Sequence, residues 1–386
     1  RTMSREQKAD LLAVVGNIKE AGFLDFVTGW YFKAADMMQL NPAIQTALVS
    51  TNSISQGEQT SILWKPLLAS GVRINFAHQT FKWSNDARGN AAVYCVIIGF
   101  SLRPSVQKLI FEYVDIKGEP NELSVRNINP YLIDAPDVFV ATRQHPLSDV
   151  PEMNFGNMPA DGGTLILSQN ERDDIITQYP GTAKYIYELV GAKELIQGGA
   201  RYCMWLTAIS PSELRAIPPF LERIERNRAI RAASSRPQLA DTPSLFAQIT
   251  ADPDTYSNAI VVPAHSSERR DYLPIGFFAN DIVVHNSCLA IPGATLHHFG
   301  ILTSQMHMAW MRSVAGRLKS DYRYSKDIVY NNFIWPEVTS DQRAEIERLA
   351  QAVLDARAQF PTASLADLYD PLTMPPALSK AHKQLD

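Results

Sequence analysis

The spacing of hydrophobic residues along the first hundred positions changes several times, and each change predicts a new element. Apolar residues recur every three or four positions over 24–40, which predicts an amphipathic helix. Short apolar runs at 47–51 and 72–76 predict strands on either side of a helix over 58–68. The charge-free run Val93-Tyr-Cys-Val-Ile-Ile98 is typical of a strand buried on both faces. This order of elements predicts the second half of a doubly wound α/β sheet.

The segment 76–100 places aromatic and polar side chains directly before this long strand. Its first part, His78-Gln-Thr-Phe-Lys-Trp83, is predicted as a loop, and a tight polar turn leads from it into the strand. In open α/β sheets the ligand crevice lies beyond the carboxyl ends of the strands, so we expect this loop and residues 50–53 at that edge. Phe81 and Trp83 are therefore either hydrophobic plugs of the core or a platform on which another ring stacks.

From about residue 102 the pattern becomes β-rich and irregular. Two strands that flank Gly118-Glu-Pro-Asn121 predict a hairpin, and helical spacing returns over 183–195, 212–232 and 294–314. A capping box, Thr339-x-x-Gln342, predicts the start of a last long helix. We accordingly divide the chain into an α/β region, an α+β region and a C-terminal helical segment, with the bounds 1–101, 102–336 and 337–386.

Composition narrows the class of protein. The chain has 386 residues, 46% of them hydrophobic and 20% charged, which is typical of a soluble globular protein with two or three domains. A net charge of -4 means that a surface for nucleic acid must be a local patch. Cys95, Cys203 and Cys288 lack the spacing of a zinc site or a disulfide framework and indicate a reducing compartment, the cytoplasm. The chain shows no apolar run of about 18 residues, so we expect no membrane insertion.

Basic residues gather in two stretches and one pair. Residues 222–236 contain five arginines and two glutamates at helical spacing, for which a solvated helix face is the simpler interpretation. Residues 312–326 contain five basic residues, one acid and two interleaved tyrosines, which favours a nucleic-acid surface. Arginine binds phosphates and the edge of guanine, so these stretches and the pair before a strand supply candidates for DNA contact. The candidates are Arg269, Arg270, Arg317, Lys319, Arg323 and Tyr324.

Three histidines lie close together in the sequence without a metal-binding pattern. A metal site built on His297, His298 and His307 would need a further ligand at defined spacing, and none is visible. We expect them to be core or helix-capping residues and predict no metal site. The chain also carries no Gly-rich turn of the dinucleotide-binding type and no Gly-x-Ser-x-Gly elbow.

Several longer strings resemble a known family. Leu24-Asp-Phe-Val-Thr-Gly-Trp30, Val49-Ser-Thr-Asn-Ser-Ile-Ser-Gln-Gly-Glu58 and Phe76-Ala-His-Gln-Thr-Phe-Lys-Trp83 resemble the post-catalytic half of adenine-specific DNA methyltransferases. The similar enzymes are the MmeI-like ones, whose single chains join methyltransferase and target-recognition domains, often with a nuclease. Gly316-Arg-Leu-Lys-Ser-Asp-Tyr-Arg-Tyr-Ser325 and Tyr330-Asn-Asn-Phe-Ile-Trp-Pro336 resemble the recognition region of that family.

The resemblance implies both a fold and an activity. It implies that 1–101 form the C-terminal half of a Rossmann-like methyltransferase sheet, that 102–336 recognise the DNA target, and that 337–386 form a helical end. The parent reaction would transfer a methyl group from S-adenosylmethionine to N6 of adenine in double-stranded DNA. In the family, an aromatic residue before the last long strand stacks on the flipped adenine. Phe81 is the matching position, and Trp83 would share this role or support Phe81.

The family's donor-binding loop and its catalytic Asn-Pro-Pro-aromatic motif are not in this sequence. We expect both upstream of Arg1, in an N-terminal part of the same polypeptide, and therefore expect this chain to be inactive alone. Two alternatives stay open. One is a non-catalytic DNA-binding module, and the other is a fused restriction-modification enzyme with an N-terminal nuclease.

Overall fold

The computed structural model describes residues 3–83, 93–116, 118–279 and 281–386. Its α-helices are α1 (Arg5–Val15), α2 (Thr28–Leu40), α3 (Glu58–Ala69), α4 (Gln169–Gln178), α5 (Ala192–Gln197), α6 (Pro211–Arg215), α7 (Pro218–Ala232), α8 (Leu296–Leu302), α9 (Gln305–Val314), α10 (Ser340–Ala358), α11 (Leu365–Leu368) and α12 (Pro376–Leu385).

The strands are β1 (Gln45–Thr51), β2 (Arg73–Trp83), β3 (Val93–Ser101), β4 (Lys108–Glu112), β5 (Asn121–Val125), β6 (Asn154–Phe155), β7 (Ile166–Leu167), β8 (Ile186–Val190), β9 (Tyr202–Met204), β10 (Asn258–Pro263), β11 (His265–Ser266), β12 (Gly276–Ala279), β13 (Ile282–Val284), β14 (Cys288–Pro292), β15 (Gly316–Leu318) and β16 (Asp321–Arg323).

The chain divides into two compact units. The first contains the described residues up to Gln144 together with Trp310–Asn332, and the second contains His145–Ala309 and Phe333–Asp386. The segment 310–332, which the sequence placed inside the region 102–336, therefore groups with the N-terminal part of the chain.

The first unit is built on a five-stranded sheet with the order β1-β3-β2-β4-β5. Strand β3 runs antiparallel to both of its neighbours, β1 and β2, whereas β2 and β4 are parallel. The predicted hairpin is confirmed, because β4 and β5 pair antiparallel. Both strands extend the same sheet, so the first unit continues past residue 101, where the change in hydrophobic pattern predicted the end of the α/β region.

One face of this sheet carries the core of the first unit. Ile74, Ala77, Val96 and Ile98 are buried beneath the helices of the unit. An aromatic cluster fills the centre: the Tyr31 ring lies 5.3 Å from Phe100 and 5.6 Å from Trp64. Both polar atoms of the cluster are satisfied, since Tyr31 bonds Ser50 and the Trp64 indole donates to a carbonyl.

The second unit contains two four-stranded sheets, β12-β10-β14-β6 and β13-β8-β9-β7. Its C-terminal helices are tied to the sheets by a chain of hydrogen bonds. Arg357 of α10 donates to the Ile275 carbonyl and to the Tyr369 hydroxyl, and that hydroxyl bonds His382 of α12 at 2.8 Å. The predicted capping box at the start of α10 is confirmed, with Thr339 and Gln342 bonding each other's backbone N–H.

Three helix predictions for residues after 182 need correction. Residues 186–190 form strand β8 rather than part of a helix, because their apolar and β-branched side chains pack between β13 and β9. The stretch 212–232 is split into α6 and α7, since Pro218 and Pro219 fit only the first turn of a helix. The stretch 294–314 is likewise two helices, α8 and α9.

The basic stretch on α7 is not a purely solvated face, contrary to the simpler interpretation of the sequence. Arg231 is 1% exposed, and its guanidinium donates to the carbonyl oxygens of Pro159, Ala160, Leu239, Thr242 and Leu245. Arg223 donates to the carbonyls of Thr164 and Ile166 and pairs with Glu171. These two arginines hold loops of the second unit together.

Candidate DNA-base site on the aromatic face

The face of the five-stranded sheet opposite the core is lined by aromatic side chains. Strand β2 presents four of them because two irregularities in its pairing with β3 change the alternation, one between Ile74 and Phe76 and one between His78 and Phe81. Strand β4 and the residue that follows it contribute the other two. We call this surface the aromatic face: Phe76, His78, Phe81, Trp83, Phe111 and Tyr113.

The stretch His78–Trp83, predicted as a loop, is therefore the end of a strand. Phe81, Lys82 and Trp83 pair with Cys95, Tyr94 and Val93 of β3. The prediction failed because a bulge hides the period of two on which strand assignment depends. The polar turn predicted after Trp83 lies outside the described residues.

The rings of the aromatic face contact one another at defined angles. The Phe81 ring stacks on Tyr113, with centroids 5.2 Å apart and planes inclined by 24°. Trp83 is tilted against Phe81 at 6.0 Å, and its side chain is among the exposed large hydrophobic ones. His78 stacks on Phe111 at 4.2 Å with an angle of 8°. The result is a fixed row of rings rather than a set of independent side chains.

Two polar groups within the row are paired with each other. His78 Nδ1 and the Tyr113 hydroxyl share a hydrogen bond of 2.9 Å. Burial lowers the pKa of His78, so the imidazole is neutral at pH 7. Burial, followed by the nearby Glu119 carboxylate, raises the pKa of Tyr113, so its hydroxyl keeps its proton.

The predicted working edge brings together the ends of β1 and β2. Thr51 and Phe81 both pair with Cys95, so they lie on one row of the sheet, about 10 Å apart by the usual spacing of strands. Gln56, in the turn after β1, donates to the Thr80 hydroxyl at 3.3 Å. The two segments that the sequence assigned to this edge are thus neighbours in the structure.

The turn after β1 is fixed from a second side. Asp25 accepts hydrogen bonds from Ser53 at 2.8 Å and from Gln59 at 2.9 Å. Its own backbone N–H donates to the Gln59 side chain. The turn after β1, which is joined to the end of β2 by the bond from Gln56 to Thr80, is therefore held in place by side-chain hydrogen bonds, as a preorganised binding site requires.

The basic candidates divide between the two units. Arg317, Lys319 and Arg323 lie on the hairpin β15–β16 of the first unit, where Lys319 and Arg323 are exposed and the Arg317 guanidinium lies 4.2 Å from the Tyr322 ring centroid. Arg269 is exposed and Arg270 is half-buried, both in the second unit.

Tyr324 does not fit its predicted role as a DNA contact. The residue is 3% exposed, and burial raises the pKa of its hydroxyl well above the usual value. A side chain in this position has no surface to offer a duplex, so we assign it to the packing of the first unit.

Tyr113 and Gln56 contact the residues of the candidate site, although the sequence did not single them out. Phe111 and Tyr113 lie two positions apart at the end of a predicted strand, which places them on one face, and this spacing was the available signal. Gln56 lies in a polar turn and carries no pattern of its own.

The three histidines are core and capping residues, as predicted. His297 and His307 are buried, and His298 Nδ1 accepts a hydrogen bond from the Thr295 backbone N–H at the start of α8. Burial lowers the pKa of His298 to about 4 and that of His307 to about 3. Among the residues that the structure describes, no three His, Cys, Asp or Glu side chains gather to hold a metal ion. Within the same residues, no helix has the length and apolar content to cross a membrane.

Comparison with known proteins matches the whole chain. The model of the MmeI DNA-methyltransferase domain matches residues 1–112, that of the MmeI target recognition domain 134–337, and that of the MmeI C-terminal domain 338–386. The chain is 42% identical over 390 residues to DNA methyltransferase A of Bacillus subtilis (strain 168), a match that covers 100% of this chain and 43% of that protein.

A solved structure gives the same result. The chain is similar to the type IIL restriction-modification enzyme MmeI in complex with DNA, with a TM-score of 0.91 and 47% identity over 100% of this chain and 51% of that one. The chain thus spans about half the length of the relatives it matches. The resemblance read from the residues is confirmed, and the chain belongs to the MmeI family.

Proposed function

We propose that this chain is part of a site-specific DNA methyltransferase and that its aromatic face receives the target adenine. The observation that carries the proposal is the position of Phe81, a half-buried ring held at the carboxyl edge of the sheet. The exocyclic amine of adenine is inaccessible inside a base stack, so the base must leave the helix at a cost of a few kcal/mol. Stacking on an aromatic ring recovers about 1–3 kcal/mol.

The arrangement of the sheet supports the Rossmann-like assignment that the family implies. Strands β1 and β2 run in the same direction and α3 connects them, as in a βαβ unit. Strand β3 lies between them in the opposite direction, and antiparallel strands do occur in otherwise parallel sheets. This connection places the ends of β1 and β2 at one edge, where α/β sheets bind their ligands.

The methyl donor of this proposal is S-adenosylmethionine. A cavity of about 500 Å³ on the aromatic face is lined by Gln45, Asn75, Phe76, His78 and other residues, with no carboxylate among them. A ribose is typically held by an Asp or a Glu, so these residues do not fit the donor. We therefore assign no residue of this chain to the donor and derive no step through it.

The charged hairpin β15–β16 and the pair at 269–270 are the proposed DNA contacts. Arg323, Lys319 and Arg269 are exposed, so they suit phosphates or base edges without rearrangement. Arg317 is held over the Tyr322 ring, which fixes the direction of its guanidinium. Double-stranded DNA is accordingly the proposed partner.

The test is the variant Phe81→Ala in the complete natural polypeptide that contains this chain. We expect methylation of the target adenine to fall by about 5- to 150-fold, the equivalent of the stacking energy, while affinity for unmodified duplex changes little. The matched control is Phe23→Ala, which removes another ring, 61% exposed, that is not part of the aromatic face.

Two outcomes contradict the proposal. An equal loss of methylation and of binding would indicate that Phe81 only supports the fold. A complete polypeptide that binds its site but methylates neither adenine nor another base would instead favour a DNA-binding module without catalysis.

A further inference from the structure

A stacking platform functions only if its own ring is held in place, and the Phe81 ring has a support on one side. Tyr113 stacks on it at 5.2 Å with an angle of 24°, the offset arrangement that aromatic pairs prefer. That contact occupies one face of Phe81. A base can therefore stack only on the other face.

We propose that Tyr113 is a positioning residue that backs Phe81 and that His78 in turn fixes Tyr113. The inference rests on the proposed function, since it assigns roles within the same base site. It adds two residues that act through Phe81 rather than on the base itself.

Tyr113 needs such an anchor because it lies just past the end of β4, where the strand ladder no longer holds the backbone. The hydrogen bond of 2.9 Å between its hydroxyl and His78 Nδ1 supplies one. His78 itself is clamped, because it pairs with Ile97 of β3 and its ring lies 4.2 Å from Phe111 in a parallel stack.

A second contact limits the movement of the segment that follows Tyr113. The backbone N–H of Lys82, next to Phe81, donates to the Ile116 carbonyl at 2.8 Å. Tyr113 is thus held at its hydroxyl by His78, and the segment that follows it is held to β2 through Ile116. The ring it presents to Phe81 has little freedom to rotate away.

The contacts of this group differ from those of the core. Phe81, His78 and Tyr113 are half-buried and lie on the face opposite the buried cluster of Ile74 and Ala77. Ordinary core packing would not require a neutral imidazole and a phenol bonded to each other at the rim of a sheet. A role in orienting Phe81 accounts for both the pair and its position.

The experiment uses the complete natural polypeptide and two duplexes, one with the target adenine paired to thymine and one with it opposite a mismatched base. Tyr113→Leu removes the supporting ring, and Tyr113→Phe keeps the ring but not the hydroxyl. We expect Tyr113→Leu to lower kcat on the paired duplex by about 2- to 10-fold with KM for DNA unchanged, and Tyr113→Phe to lower it less.

The mismatched duplex distinguishes a defect in positioning the Phe81 ring from a defect in the fold. A mismatched base leaves the helix at lower cost, so a defect in stacking should shrink on this substrate, whereas a damaged fold should remain equally slow on both. His78→Phe and Tyr113→Phe should also show non-additive effects when combined, because each breaks the same hydrogen bond.

The inference is overturned if Tyr113→Leu leaves kcat unchanged or shows the same loss on both duplexes. If Tyr113→Leu does not fold, the test uses Tyr113→Phe, His78→Phe and the double variant. Additive effects of the two substitutions on kcat would contradict the proposal. Phe81→Ala separates this inference from the proposed function. If Phe81→Ala leaves the rate of methylation unchanged, both the proposed function and this inference fail. If Phe81→Ala lowers the rate and the Tyr113 variants do not, only the positioning role of Tyr113 fails.

Discussion

Three arginines that the structure describes have different surroundings. Arg231 is buried, and its guanidinium donates hydrogen bonds to five carbonyl oxygens. These bonds satisfy carbonyl groups that lie outside the α-helices and the sheets. Arg317 is held over a tyrosine ring, and Arg323 is exposed on a short hairpin. Identical residue types at similar spacing in the sequence thus have different structural roles, which only their three-dimensional surroundings determine.

The role of Arg231 predicts a large effect of a conservative change. Arg231→Lys keeps the charge but cannot reach several carbonyls at once, and each buried carbonyl left without a donor costs about 1–3 kcal/mol. We expect the free energy of unfolding to fall by about 3 kcal/mol or more, as measured by urea denaturation. Arg226→Lys on the exposed side of α7 is the control. A change within about 0.5 kcal/mol for both variants would show that Arg231 is dispensable.

At the scale of elements, regular periodicity was predictable and its interruptions were not. Strands β1 and β3 and the β4–β5 hairpin follow from apolar runs and turn residues. The full length of β2 does not, because its bulges place His78 and Phe81 three positions apart on one face. The sequence pattern singled out Phe81 and the resemblance supplied its role, whereas Tyr113 joins the site through tertiary stacking. Local sequence patterns predict single helices and strands, whereas a site depends on tertiary contacts between them.

The hairpin β15–β16 gives a prediction at this scale. Arg323→Ala should weaken binding of the complete polypeptide to DNA and reduce the slope of log K against log salt by about one unit, the amount expected for one lost phosphate contact. Lys65→Ala, which removes an exposed charge on α3, is the control. Titrations of DNA with each variant at several salt concentrations measure the affinity and its salt slope. An unchanged slope with weaker binding would instead assign Arg323 to a base edge or to the fold.

At the scale of the whole molecule, buried neutral histidines are concentrated in the second unit. Burial lowers the pKa of His382 and of His307 to about 3, and that of His298 to about 4. In the unfolded chain the same groups titrate near 6.5. Between these values the unfolded state binds more protons than the folded state does.

Acid should therefore destabilise the second unit. We expect the free energy of unfolding to be fully retained above about pH 6.5 and to decrease as the pH falls from there toward 4, as measured by chemical denaturation at a series of pH values. His382→Phe should reduce this dependence, whereas His145→Gln, at an exposed position, should not. A stability that is constant between pH 7 and pH 4 would contradict this account.

The bulge between His78 and Phe81 has a consequence for insertions and deletions. In a regular strand, the loss of one residue inverts every side chain that follows it. Here two residues, Gln79 and Thr80, stand opposite one residue of β3, so deleting either would straighten the strand and still leave Phe81 facing Cys95. We expect a chain shortened by one residue at this point to keep its platform and lose only the hydrogen bond of the deleted side chain, from Gln79 to the Leu132 carbonyl or from Gln56 to Thr80. The bulge gives the site a tolerance to length change that a regular strand lacks.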